Sequence, residues 1–307
     1  MARAVLLLPP LACVFAGTPP ADLARALGRA DRVDGESGRA AQLRRHFSLL
    51  PNRWPEAAVC RLAEIGADVD DVRRHAWLRV DPAHLRADIK GVLLLGTGEA
   101  LGLDEADSVA FLPALKPLFG DAGFQLEAPH PARWYLRLPK EAKLPAFASP
   151  EIALGDDVFE HAPDGPEARR WNALASEAQV LLHNHPRNVQ RAEAGRVALN
   201  ALWPWGGGTL PDHATAAFPK LHSDDALLHG LARLAKIEAM PAKPPIPEDA
   251  LFDLRKADAA TLRPMLEALH RGDLQELALD FADGPRFTLR RGQRWRFWRK
   301  PFALLRE

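Results

Sequence analysis

The apolar runs of this chain are short, and each is stopped by residues that cannot continue it. Val5-Leu6-Leu7-Leu8 runs into Pro9-Pro10, and Val92-Leu93-Leu94-Leu95 into Gly96-Thr97-Gly98. This is the pattern of buried strands a few residues long, closed by turns. Neither run approaches the roughly 20 apolar residues that a membrane-crossing helix needs. Residues 1–17 carry Arg3 and a second apolar group, Cys13-Val14-Phe15-Ala16, in the manner of a signal peptide, but the double proline between the groups favours a first strand over residues 4–8.

Between these runs the apolar residues fall at helical steps. Leu23, Ala26 and Leu27 predict a helix within 20–32, and further helices are expected over 40–50 and 55–65. Ala106, Val109, Ala110, Leu112 and Leu115 predict one over 104–119, shortened or kinked by Pro113 and Pro117. Leu174, Ala178, Leu181 and Leu182 mark the clearest helix, 171–185, followed by a short one over 187–195. Ser223 is the expected N-cap of a helix over 224–236, and another is expected over 259–270. Residues 124–128 and 134–138 predict a hairpin; further strands are expected over 199–205, which runs into Gly206-Gly207-Gly208, and over 274–281 and 286–289. Strands alternating with helices give an α/β or α+β architecture.

A length of 307 residues with 47% hydrophobic content allows about two domains of roughly 150 residues, each with its own core. Forty basic residues balance forty acidic ones, which removes the long-range field of a dedicated duplex-DNA binder. Cys13 and Cys60 lie in no metal-ligand spacing and are read as buried thiols of a cytoplasmic protein.

Four polar clusters are candidates for chemistry. His183-Asn184-His185-Pro186-Arg187-Asn188-Val189-Gln190-Arg191 places His185, Asn188 and Arg191 on one helix face, suited to an anion; the alternative is a solvated face with a proline break. Asn200 and Trp203-Pro204-Trp205-Gly206-Gly207-Gly208 offer either an anion nest or a tight turn. Asp81-Pro82-Ala83-His84-Leu85-Arg86-Ala87-Asp88 is the third cluster. In the fourth, Arg133, Tyr135 and Arg137 alternate, so they share one strand face and suit either a phosphate or the protection of a sheet edge. The basic and aromatic stretch 286–300, which holds Trp295 and Trp298, is suited to single-stranded nucleic acid, or to a hairpin with one packed face.

Together, residues 171–174, 181–191, Gly195, Asn200 and 203–208 resemble the archaeal-type, cofactor-independent phosphoglycerate mutases, with weaker likeness over 133–138 and 223–230. DPAHLRAD, APHPARWYLRL and LWPWGGGTLP look similar to a bacterial group labelled phosphoglycerate mutase or regulatory protein of pathogenicity-factor type. The resemblance implies an α/β fold with a reduced alkaline-phosphatase-like core over 1–84 and 206–307 and an inserted α+β cap, 85–205, that binds substrate. It implies an anion pocket formed by Arg86, Arg133, Tyr135, Arg137, His185, Asn188, Arg191, Asn200, Trp205 and Gly206 to Gly208.

The mutases of this superfamily use a Ser or Thr nucleophile and two divalent metals on Asp and His ligands. Here the first strand runs into Pro9-Pro10 where those enzymes carry an Asp-Gly pair, and the closest text to their later Asp-x-x-Gly-His motif is Asp280-Phe281-Ala282-Asp283-Gly284-Pro285. Thr18 faintly echoes the nucleophile region. The expectation is therefore a cytoplasmic pseudoenzyme without a cofactor, which binds a phosphorylated metabolite or a protein partner in a regulatory role and has no membrane partner. The alternatives are an active phosphomutase or phosphatase, with His84, Asp88 or His185 as acid or base and Mn²⁺ or Mg²⁺ as cofactor, and a single-stranded nucleic-acid binder.

Overall fold

In the computed structural model, which describes residues 2–15, 17, 19–89, 91–255 and 258–303, the chain divides into two compact units, 1–52 with 213–307, and 53–212. The inserted unit therefore begins at Arg53 and ends at Asp212, rather than at the expected 85 and 205. A single strand, residues 75–88, runs across the expected boundary and cannot be divided there.

In chain order, the first unit opens with β1 (Ala2–Leu8), α1 (Leu11–Val14), α2 (Ala21–Arg29), β2 (Asp31–Val33), α3 (Arg39–Arg44) and β3 (Phe47–Leu50). The second unit holds α4 (Glu56–Ala63), α5 (Val69–Arg74), β4 (His75–Asp88), β5 (Gly91–Thr97), α6 (Glu105–Asp121), β6 (Gln125–His130), β7 (Arg133–Pro139), α7 (Pro150–Ala153), α8 (Ala168–His183), α9 (Pro186–Glu193) and β8 (Ala201–Thr209). The first unit resumes with β9 (His213–Ala216), β10 (Lys220–His222), α10 (Ala226–Ala235), β11 (Glu238–Met240), β12 (Ala250–Asp253), α11 (Ala259–Arg271), β13 (Leu274–Phe281) and β14 (Arg286–Arg290).

The first unit is built on a sheet of order β11-β10-β12-β1-β13-β14-β2, parallel from β11 to β13 and antiparallel beyond. β1 lies between β12 and β13, as its unbroken apolar run predicts for a strand buried on both faces. Leu6 and Leu8 point into a core with Phe252, Phe281, Leu27 and Leu269. The predicted helix over 40–50 divides into α3 and β3, because Phe47 and Leu49 are buried while Ser48 and Leu50 are exposed, a period of two.

The second unit is α+β. β4 is its longest strand, pairing antiparallel with β7 and β5 along one edge and β8 along the other, and β6 closes the β7 side. Leu78, Trp134, Leu136, Leu174 and Leu182 form a core on the side of the sheet that carries α6 and α8. α6 continues through Pro113 and Pro117 without a break. Gly206, Gly207 and Gly208 lie inside β8 rather than in a turn after it, and Asp225, not Ser223, caps α10. Cys60 is buried as expected, whereas Cys13 is exposed.

Candidate functional site

The predicted anion-binding residues of the second unit lie in different places. Alternation along β7 sends Trp134 and Leu136 to the core under α6 and α8, and turns Arg133 and Tyr135 to the opposite face, toward α4. There, Arg133 donates to Glu64 at 2.6 and 3.2 Å, and the Tyr135 hydroxyl donates to the same carboxylate at 2.8 Å. Burial pushes the Glu64 carboxyl up, yet the hydrogen bond and charge of Arg133, with the Tyr135 hydroxyl, hold it below the usual range. Burial also raises the Tyr135 phenol well above its ordinary value, so it stays a donor. Arg137 lies 3.8 Å from Asp71 and 4.0 Å from Glu127.

Beside this group, Arg79 donates to both oxygens of Asp81 at 2.8 to 2.9 Å and lies over the rings of Trp205 and Tyr135, 4.8 and 5.6 Å from their centroids. The Trp205 indole N–H also donates to Asp81, at 2.7 Å. Burial disfavours the Arg79 charge, and Asp81 more than compensates, so the guanidinium remains protonated. The glycines next to Trp205 serve packing: a Cβ on Gly208 would fall 2.8 Å from Pro55, and one on Gly206 would fall 3.1 Å from Glu56, at the start of α4. These glycines form no turn after the strand; within β8 they let the start of α4 approach it closely.

α9 belongs to the other face of the sheet. Arg191, 1% exposed, pairs with the buried Asp107 of α6 and donates to the carbonyls of Leu101 and Val197. Arg187 binds the same carboxylate at 2.7 Å. Asn188 bridges the Leu182 carbonyl and both backbone groups of Leu199, and Asn200 does the same for Leu85. His185 caps α9 through Nδ1 and packs 4.6 Å from the Phe111 ring. These residues latch α9 to α6 and to the approach to β8. The expected single pocket is not assembled: its residues serve opposite faces of the sheet, and its principal guanidiniums already hold carboxylates.

The remaining candidates are separate as well. His84 Nδ1 meets the Ala198 carbonyl at 2.9 Å, and the exposed Asp88 accepts from the Ile89 N–H. Among the described residues, no hydrogen bond or ion pair joins His84, Asp88 and His185. Arg86, at the exposed end of β4, forms no ion pair with a carboxylate among the described residues.

In the first unit the sequence reading missed a polar cluster at the carboxyl ends of the parallel strands, where open α/β sheets bind ligands. Leu7 is in register with Asp253 on β12 and Asp280 on β13, so both carboxylates leave the sheet on one face, opposite to Leu6 and Leu8. Arg45 grips Asp280 with two prongs, at 2.6 and 3.0 Å, and His46 adds Nε2 at 2.6 Å. Gln42 of α3 ties the carbonyls of Leu8 and Asp280 together at 3.1 and 2.6 Å. Arg255 grips Asp253 in the same two-pronged way, at 2.7 Å for each prong, and the buried Ser223 hydroxyl donates to it at 2.7 Å. Arg255 also reaches Asp225 at 3.3 Å, as Arg39 of α3 does at 2.7 Å. Burial alone would raise the Asp225 carboxyl; Arg39 and Arg255 bring it below its ordinary value.

The metals implied by the resemblance do not fit this arrangement. Each strand-end carboxylate has both oxygens engaged by one guanidinium, which puts a fixed positive charge where a cation would have to stand. Among the described residues, no three His, Cys, Asp or Glu side chains are grouped to hold a metal ion. Thr18 lies outside the described residues.

The folded chain is a mixed α/β protein whose parallel-sheet unit is interrupted in sequence by an α+β unit. It is similar to a probable 2,3-bisphosphoglycerate-independent phosphoglycerate mutase of Geobacter sulfurreducens, at 28% identity over 130 residues, covering 42% of this chain and 32% of that protein. A Methanosarcina mazei enzyme of the same description is 32% identical over 73 residues, covering 24% and 18% of the two chains. The matched segments thus span a third or less of these relatives. No protein-family model matches the chain. Among solved structures, a cofactor-independent phosphoglycerate mutase from Thermoplasma acidophilum aligns over 95% of this chain and 90% of its own, with TM-score 0.38 and 16% identity. A Pyrococcus horikoshii protein aligns over 94% and 87%, with TM-score 0.43 and 13% identity.

Proposed function

We propose that this phosphoglycerate-mutase-like chain is a metal-independent binding protein that recognises a phosphorylated metabolite in a regulatory role, on a reduced alkaline-phosphatase-like core. The observation that carries the reading is the two-pronged binding of Asp253 and Asp280 by Arg255 and Arg45. Phosphoryl transfer on such a scaffold relies on divalent cations to stabilise the charge that builds up on the transferring group. Guanidiniums at those carboxylates keep the sheet edge neutral and folded while taking away the ligands a metal needs. Arg86 is the anion-binding candidate that this reading retains, because no carboxylate neutralises it among the described residues.

The test is a thermal-shift titration of 3-phosphoglycerate and related phosphorylated metabolites against the full chain, in EDTA and then in Mn²⁺. A saturating stabilisation that is the same in EDTA, and that weakens in Arg86→Ala, supports the reading. Stabilisation that requires Mn²⁺ overturns it.

A further inference from the structure

The segment after β14 turns most of its large aromatic side chains to solvent. Residues 291–295 form a 3-10 turn, and the groups that turn inward from it are polar. Gln293 and Arg296 both bind Asp31, and Arg296 also donates to the Arg29 carbonyl. The hydrogen bond from Arg296 brings the Asp31 carboxyl below its ordinary value. Further along, the Phe302 N–H donates to the Ala24 carbonyl at 2.7 Å, and the backbone around Lys300 passes so close to Gly28 that a Cβ there would lie 2.1 Å from the Lys300 oxygen. The segment is therefore fastened to α2 and β2 at both ends. Between these anchors the large apolar side chains face solvent: Trp295, Phe297 and Trp298 are 65%, 76% and 70% exposed. Exposed aromatics on a segment held in place by half-buried polar contacts mark an interaction surface rather than an unfinished core.

The segment's own charges have one sign. Arg294, Arg299 and Lys300 are exposed, and residues 286–300 include no acidic side chain, although the whole chain is neutral. Its complement is anionic. Ring geometry decides between anionic partners. The Phe297 and Trp298 rings are edge to face, 80° apart with centroids at 5.5 Å, and the Arg294 guanidinium covers a face of Trp295 at 5.0 Å. Successive bases of a single strand stack on ring faces that run nearly parallel, which the Phe297–Trp298 pair does not offer. Insertion among lipid headgroups requires only protruding indole and phenyl rings with cations around them.

We propose that residues 294–300 form a peripheral membrane-binding patch: Trp295, Phe297 and Trp298 enter the interfacial layer of a bilayer, and Arg294, Arg299 and Lys300 meet anionic phospholipid headgroups. Among the described residues, no helix is long and apolar enough to cross a membrane, so attachment by this patch is superficial and salt-sensitive.

The test is co-sedimentation of the full chain with vesicles of phosphatidylcholine alone or with 30 mol% phosphatidylglycerol. The wild type is expected to partition at least ~10-fold more strongly onto the anionic vesicles at low salt, and to be released by 0.5 M NaCl. Trp295→Ala/Phe297→Ala/Trp298→Ala is expected to lose that ~10-fold advantage; because the three side chains are exposed, its melting temperature reports that the fold is intact. Equal sedimentation with both vesicle types, or unchanged binding by the folded triple variant, overturns the proposal. So does tight binding of a single-stranded oligonucleotide by a chain that ignores the vesicles.

Discussion

At the residue scale, arginines in this protein act chiefly as internal counterions. The place of Arg191 on α9 suits a phosphate ligand by sequence, but its guanidinium is enclosed by Asp107 and two carbonyls. Arg191→Ala is expected to destabilise the chain by about 3 kcal/mol, since it removes one partner of a buried ion pair while Arg187 keeps part of the compensation. Urea unfolding measures this, and a loss below about 1 kcal/mol would show the pair to be dispensable. Glu64 provides a pH signature. Its folded pKa is held below the ordinary value by Arg133 and Tyr135. The stabilisation is therefore complete above the unfolded value, about 4.3, and is lost as pH falls through the lower folded value. Glu64→Gln is expected to lower the melting temperature at pH 7 and to flatten its fall between pH 5 and pH 3. A variant as acid-sensitive as the wild type would remove Glu64 from the account.

At the scale of elements, much of the fold was legible because hydrophobic period survives context. The strand at 4–8, the helices at 171–185 and 259–270, and the strands at 274–281 and 286–289 all form with ends shifted by a few residues. What period could not show was how α3 gives way to β3, or that the glycines of Trp205-Gly206-Gly207-Gly208 continue a strand instead of ending it. Glycines in either context read alike; only the approach of Pro55 and Glu56 distinguishes them. Gly208 has φ near +148° as well as the close Pro55 ring, so Gly208→Ala is expected to cost about 1 to 3 kcal/mol by overpacking and backbone strain. Chemical denaturation tests this, and a neutral substitution would show that α4 shifts freely on β8. The candidate sites were less legible than the elements. Arg133, Tyr135 and Arg137 do alternate as their spacing predicts, but Glu64 is 69 residues from Arg133 and Asp280 is 235 from Arg45. Partners separated by that much chain leave no mark in local pattern.

At the scale of the whole molecule, the two units share a theme, each placing its carboxylates against guanidiniums within its own fold. In the first unit α3 and the residue after it serve both strand ends, Arg39 through Asp225 and Gln42 and Arg45 at Asp280. Together with Arg255, which holds Asp253, these residues set the charge at the strand ends where an open parallel sheet would otherwise receive a ligand. The partial sequence resemblance to phosphoglycerate mutases is in tension with the chemistry of those strand ends. The decisive measurement is conversion of 3-phosphoglycerate to 2-phosphoglycerate by tag-free protein in excess Mn²⁺. The arginine-held carboxylates predict no turnover above the buffer blank, whereas sustained turnover that stops on adding EDTA would contradict the account.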